Sequence, residues 1–138
     1  DLYGPRYLSD QLHAMDYSGA DVVGKQAHYM YLKGLDATIL RFPEREHRYT
    51  DFVAGPTIMA RRELAIGIPF PATSRGEDTA FLRNAAAAGA TLYAADRFNF
   101  VQVRNDSGIA HTWDVTSSEL LANSRVEFFG RNQGHIFC

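Results

Sequence analysis

The sequence predicts an α/β domain in which short strands form a mixed sheet flanked by helices. Three observations support this. Two segments repeat apolar residues at helical spacing, several short runs are rich in Val, Ile and aromatic residues, and Gly or Pro punctuates the joins between them. Hydrophobic residues make up 46% of the 138 positions, enough for a packed core.

The first helix is announced by Gly4-Pro5, since proline in a first turn loses no hydrogen bond. Tyr7, Leu8, Leu12 and Met15 then recur at helical spacing, and Ser18-Gly19 ends the pattern. Val22-Val23, His28 to Leu32 and Ala37 to Phe42 read as short strands, the last two joined by a turn at Gly34. Pro43 to Asp51 is the most charged stretch and is expected to be an exposed loop. Thr57 to Ala60 reads as a short strand, Arg61 to Ala65 as a helical turn, and Gly67 to Ser74, with Pro69 and Pro71, as irregular.

The clearest helix is expected to start at Ser74, where Ser74-x-x-Glu77 matches a capping box. Phe81, Ala85 and Ala88 form its apolar stripe, and Gly89 is placed to close it in a left-handed cap. Thr91 to Ala94 and the alternating run Phe98 to Arg104 follow as strands, and Ser117-Ser118-Glu119 can open a last helix.

Charge and cysteine content exclude several classes. Fourteen Lys and Arg against 16 Asp and Glu leave a net charge of −2, which gives neither the basic surface of a nucleic-acid binder nor an acidic tail. Cys138 is the single cysteine, so no disulfide framework exists within the chain. No apolar run approaches the roughly 18 residues of a membrane span, and no secretory leader is recognisable, so a cytoplasmic setting is expected. The start on Asp1 rather than Met reads as a cut from something longer, and the whole of 1–138 as one partial domain.

Three places can carry chemistry. Glu77-Asp78 opens the best helix, where the partial positive charge of the helix N-terminus favours ionised carboxylates. The cap accounts for Glu77; Asp78 is either an ordinary first-turn acid or a base that accepts a proton from a bound hydroxyl. His111, in Ile109-Ala110-His111-Thr112-Trp113, is a metal ligand, a general base or a satisfied core histidine, and Trp113 can stack on a planar ring or a sugar. Asp1 is a carboxylate preceding a helix, a common ligand position in α/β folds, or simply a terminal acid. Lys25, Arg104 and Arg61-Arg62 are phosphate partners or solvated surface charges.

Taken in order, the segments DLYGPRYL, GADVVGK, GPTIMARREL, RGEDTAFL and FNFVQVRNDSGIAHTW resemble the second half of family 2 glycosyltransferases. The similarity runs from Asp1 to about Leu121. Its most specific elements are the Glu-Asp pair opening an amphipathic helix and the downstream His-Thr-Trp. The resemblance implies a GT-A fold, a nucleotide-sugar donor, a divalent cation (Mn²⁺ or Mg²⁺) on the donor diphosphate, and inversion at the anomeric carbon. It implies Asp78 as catalytic base, Glu77 as an acceptor contact, and Asp1 with His111 at the cation. Trp113 and Arg104 would meet the substrate.

Two features depart from the family. The nucleotide-gripping N-terminal half is missing, which implies little or no activity for these 138 residues alone. The frequent Gln-x-x-Arg-Trp motif is also missing, which fits addition of single sugars better than polymer synthesis. Two other classes remain open: a non-catalytic carbohydrate-binding or interaction module on the same fold remnant, and a metal-dependent hydrolase using Asp1, Asp78 and His111.

Overall fold

The computed structural model describes residues 1–72, 76–105 and 122–138. They form a mixed α/β structure with two mixed sheets, and the chain divides into two compact units, each with its own sheet. The first unit comprises Asp1–Tyr7, Ala27–Arg45 and Asp96–Cys138; the second comprises Leu8–Gln26 and Glu46–Ala95.

The first unit holds a five-stranded sheet. Its strands are β1 (Leu2–Tyr3), β3 (His28–Leu32), β4 (Ala37–Arg41), β8 (Phe100–Arg104) and β9 (Ser124–Phe129), ordered β1-β8-β3-β4-β9. β3 and β4 make a hairpin in the register His28↔Arg41 to Leu32↔Ala37. Its turn needs a left-handed residue, and Asp36 supplies one at φ 46°, held by a 2.5 Å hydrogen bond from the Tyr31 hydroxyl to its carboxylate. β8 lies parallel to β3 and antiparallel to β1. One face of the sheet packs Tyr29, Leu40 and Val101 against Ile136, from the helical turn Gln133–Ile136, with Phe98, Phe128 and Phe137 around them. Met30, Leu32 and Ile39 form a separate buried cluster.

The second unit holds a four-stranded sheet, ordered β5-β7-β2-β6: β5 (Arg48–Thr50), β7 (Leu92–Ala94), β2 (Val22–Gly24) and β6 (Met59–Ala60). β2 and β7 are parallel and buried on both faces, as parallel strands usually are. Val22 joins Val53, Phe81, Leu82, Leu92 and Ala94 on one side, while Val23 joins Ala14, Met15, Ala20, Tyr93 and Ala95 on the other. Helix α1 (Tyr7–Ser18) thus supplies one layer, and helix α3 (Glu77–Ala87) the opposite one. A short helix α2 (Arg62–Gly67) adds Leu64 to the α3 side.

Several expectations are corrected. The limits of α1 agree with the sequence, and Tyr7 and Met15 of its apolar stripe are buried, but Leu8 and Leu12 are 63% and 55% exposed, and Gln11 and Ala14 are buried. There the Gln11 Nε2 donates to the Thr57 carbonyl at 2.9 Å, while its Oε1 is buried without a partner among the described residues. The charged stretch Pro43 to Asp51 contains strand β5, an exposed edge strand paired with β7. Strand β9 and the turn Gln133–Ile136 were not expected at all.

The start of α3 also differs. Gly76 is its N-cap at φ 75°, with no side-chain cap, and Glu77 is the first helical residue rather than the acid of a capping box. The far end agrees with expectation. Gly89 takes φ 89°, its N–H bonds to the Ala86 carbonyl, and Ala90 N–H reaches back to Ala85. The expected helix at Ser117 lies outside the described residues. No helix among the described residues is long and apolar enough to cross a membrane.

Candidate functional site

The second unit builds its most distinctive site around a fixed loop. Beyond β2 the chain must turn back close to the sheet, and Val53 to Thr57 forms the opposing wall. Ala54 N–H bonds to the Lys25 carbonyl at 2.7 Å, Lys25 N–H donates to the Thr57 hydroxyl at 2.9 Å, and that hydroxyl donates to the Ala54 carbonyl at 2.7 Å. Gln11 takes the Thr57 carbonyl, so Thr57 is buried with its polar groups engaged. Gly55 and Pro56 open a single 3₁₀ turn, Gly55–Thr57.

Asp78 packs directly on this turn. A Cβ on Gly55 would fall 2.7 Å from Cγ of Asp78 and closer still to Oδ2, so only glycine leaves room for the carboxylate. Among the described residues, no group donates a hydrogen bond to Asp78. Partial burial pushes its pKa above the ordinary Asp value, and the neighbouring Glu77 carboxylate adds to the shift. The helix N-terminus acts in the opposite sense.

Gly55→Ala is expected to cost about 1–3 kcal/mol, as overpacking does in a fixed wall. Gly67→Ala is the control, because a Cβ there meets nothing within 4 Å. Urea denaturation of both variants checks this: equal midpoints would mean that the carboxylate simply moves aside.

A groove of about 310 Å³ is lined by Asp51, Phe52, Thr79, Leu82, Arg83 and Ala86, with Asp78 outside its lining. Thr79, Leu82, Arg83 and Ala86 recur at helical spacing on α3, while Asp51 and Phe52 follow β5. Phe52 is 40% exposed, and the wall combines an aromatic face with a carboxylate, a guanidinium and a hydroxyl. A pyranose ring needs that mixture, an apolar surface for its C–H face and charged or hydroxyl partners for its rim.

Neither a protein-family model, a curated protein nor a solved structure matches the chain.

The other residues singled out by sequence are distributed as follows. Asp1 and Arg104 belong to the first unit, Glu77 and Asp78 to the second. The Asp1 carboxylate accepts the Val103 N–H at 3.2 Å, and Arg104 ends β8 opposite Leu32. His111 and Trp113 lie outside the described residues. Lys25 is buried, with its backbone in the Thr57 network, and Arg61 faces Asp21 at 3.8 Å. No group of three or more metal-ligating side chains occurs among the described residues. Sequence reasoning missed Gly55, Phe52 and Arg83. Gly55-Pro56 reads locally as no more than a break before β6, and nothing near it in sequence signals that a carboxylate rests on it.

Proposed function

We propose that the chain is the acceptor-side portion of an inverting glycosyltransferase of GT-A type, with Asp78 as the base. The observation that carries this reading is the Asp78 carboxylate: fixed on Gly55, without a described donor, shifted upward in pKa, and at the head of the helix that lines the groove. A base for a sugar hydroxyl needs these properties. A carboxylate saturated with hydrogen bonds would be too weakly basic, and one free in solvent would not be positioned. In this reading an acceptor sugar lies on Phe52, its hydroxyl gives its proton to Asp78, and the oxygen attacks the anomeric carbon of a nucleotide sugar from the face opposite the leaving diphosphate. Glu77 contacts the acceptor and keeps the Asp78 pKa high.

A divalent cation would offset the charge that develops on the diphosphate. Asp1 is a hard oxygen donor of the kind Mg²⁺ and Mn²⁺ take, with one carboxylate oxygen on the Val103 N–H, and His111 is the second proposed ligand. Trp113 and Arg104 are assigned to substrate contact by the resemblance.

The test is turnover of a panel of nucleotide sugars by the full-length protein with Mn²⁺ or Mg²⁺. No transfer and no donor hydrolysis across the panel would remove the reading. Oligosaccharide binding without turnover would instead favour the carbohydrate-binding module, which the groove around Phe52 could serve without Asp78.

The pH profile adds a sharper check. A base must be ionised, so kcat/KM is expected to fall on the acid side as Asp78 takes up its proton, above the usual Asp range. Glu77→Gln removes the like charge and should move this limb to lower pH. An unmoved limb would assign it to another group.

A further inference from the structure

The groove beside α3 has a direction. Its second wall is the segment that leaves β5, and that segment runs antiparallel to the helix. Thr50 pairs with Leu92, beyond the C-terminal end of α3, whereas Gly55 meets Asp78 at the N-terminal end. Phe52 lies between them and is held in place. Its N–H donates to the Thr50 hydroxyl at 3.4 Å, that hydroxyl donates to Gln26 Oε1 at 3.0 Å, and Ala54 N–H bonds to the Lys25 carbonyl at 2.7 Å. Val53 is buried in one cluster with Phe81 and Leu82, while its neighbour Phe52 stays at the surface. Asp78 therefore stands at one end of a preformed groove, not in its middle.

The groove is also longer than one sugar. Its helical side runs from Thr79 to Ala86, about 10 Å along the axis at about 1.5 Å per residue, more than a single pyranose ring covers. Its charges are balanced and unspent. Asp51 and Arg83 line it together, yet among the described residues neither side chain makes a hydrogen bond or an ion pair. An anion in the groove would be repelled by Asp51, and a cation by Arg83. A guanidinium only donates hydrogen bonds and a carboxylate only accepts them, whereas a sugar hydroxyl does both. A neutral polyhydroxyl ligand therefore completes the two groups at once, through the stronger bonds that charged partners make.

We propose that the groove takes a neutral oligosaccharide, so that the acceptor is a glycan chain of two or more residues rather than a single sugar. Its identification as the acceptor rests on the transferase reading; the fit of the chain to the groove does not. The terminal sugar lies on Phe52 toward the Asp78 end, and the next residue occupies the far part, where its hydroxyls accept from Arg83 and donate to Asp51. Acceptor length is thus read by side chains that take no part in the proton transfer.

The test sets the full-length protein against an array of neutral glycans built from glucose, galactose, mannose and N-acetylglucosamine, as mono-, di- and trisaccharides, with transfer assays on the same set. Within a series, the di- and trisaccharides are expected to bind about 10-fold more tightly than the monosaccharide. Arg83→Ala and Asp51→Ala, both at exposed positions, should bring that ratio close to one. Arg62→Ala, at an exposed position of the same unit outside the groove, should leave the ratio unchanged. Equal binding of all lengths, a ratio that the groove variants do not touch, or no binding to any member would overturn the proposal. Length-dependent binding with no transfer from any nucleotide sugar would uphold the groove and remove the transferase reading. Transfer to monosaccharides with no gain from a second residue would do the reverse.

Discussion

Asp78→Asn is expected to lower sugar transfer by the full-length protein about 10²–10⁴-fold, the usual worth of a positioned general base. Asparagine keeps the shape that packs on Gly55, so the groove beside α3 and acceptor binding should be preserved, and the loss should fall on kcat rather than KM. The stability consequence has a definite sign. Partial burial and Glu77 raise the folded-state pKa of Asp78, so the folded chain holds that proton more tightly than the unfolded chain does. The associated stability is fully present below the unfolded pKa and is lost as pH rises through the folded one. At neutral pH the ionised carboxylate is therefore a net cost, and Asp78→Asn should leave the urea midpoint unchanged or raise it. Lost activity with a retained midpoint identifies a functional acid. Retained activity would remove the base assignment, and a large drop in midpoint would make Asp78 a structural residue.

Phe81→Ala is expected to have the largest effect on stability, about 3–5 kcal/mol for an aromatic side chain deleted from a closed core. Phe81 is fully buried, among Val22, Val53, Leu82, Leu92 and Ala94, and its ring stacks on Phe70 with centroids 4.2 Å apart and planes 7° apart. That stacking adds to the area term. A loss of this size is a large fraction of the stability of an ordinary domain. It also reaches the proposed site, because Phe81 lies one turn beyond Asp78 on α3 and fixes that helix against the sheet. An unfolding free energy within about 0.5 kcal/mol of the parent would show that the cavity collapses without cost, contrary to the packing described.

What could be read from the sequence depended on whether the signal was local. The limits of α1 were legible because Pro5 and Gly19 fix them through backbone geometry. Its buried face was legible only in part: Tyr7 and Met15 are covered, but the neighbours leave Leu8 and Leu12 outside and bury Gln11, which bonds to Thr57. β5 was missed because an edge strand needs little apolar surface, and Arg48 and Tyr49 are exposed. β9 escaped for the same reason, since it too lies at a sheet edge with Arg125, Val126 and Phe129 exposed. Ser74 lies outside the described residues, and the helix takes Gly76 as its N-cap without a side-chain acceptor, so Glu77 stands one residue into the helix and not three.

The mixed α/β character, the near-balanced charge, the main helix with its closing Gly89 and the two carboxylates at its first turn are all legible in the chain. These follow from residue types acting on their immediate neighbours. Three-dimensional packing sorts the strands into two sheets, each within its own compact unit, and brings Gly55 against Asp78. It also decided that Arg41 and Ser124 meet across β4 and β9, each with a buried polar atom unpartnered among the described residues. Such meetings join residues far apart in the chain, and they are set by the packing of whole elements, which local patterning does not encode.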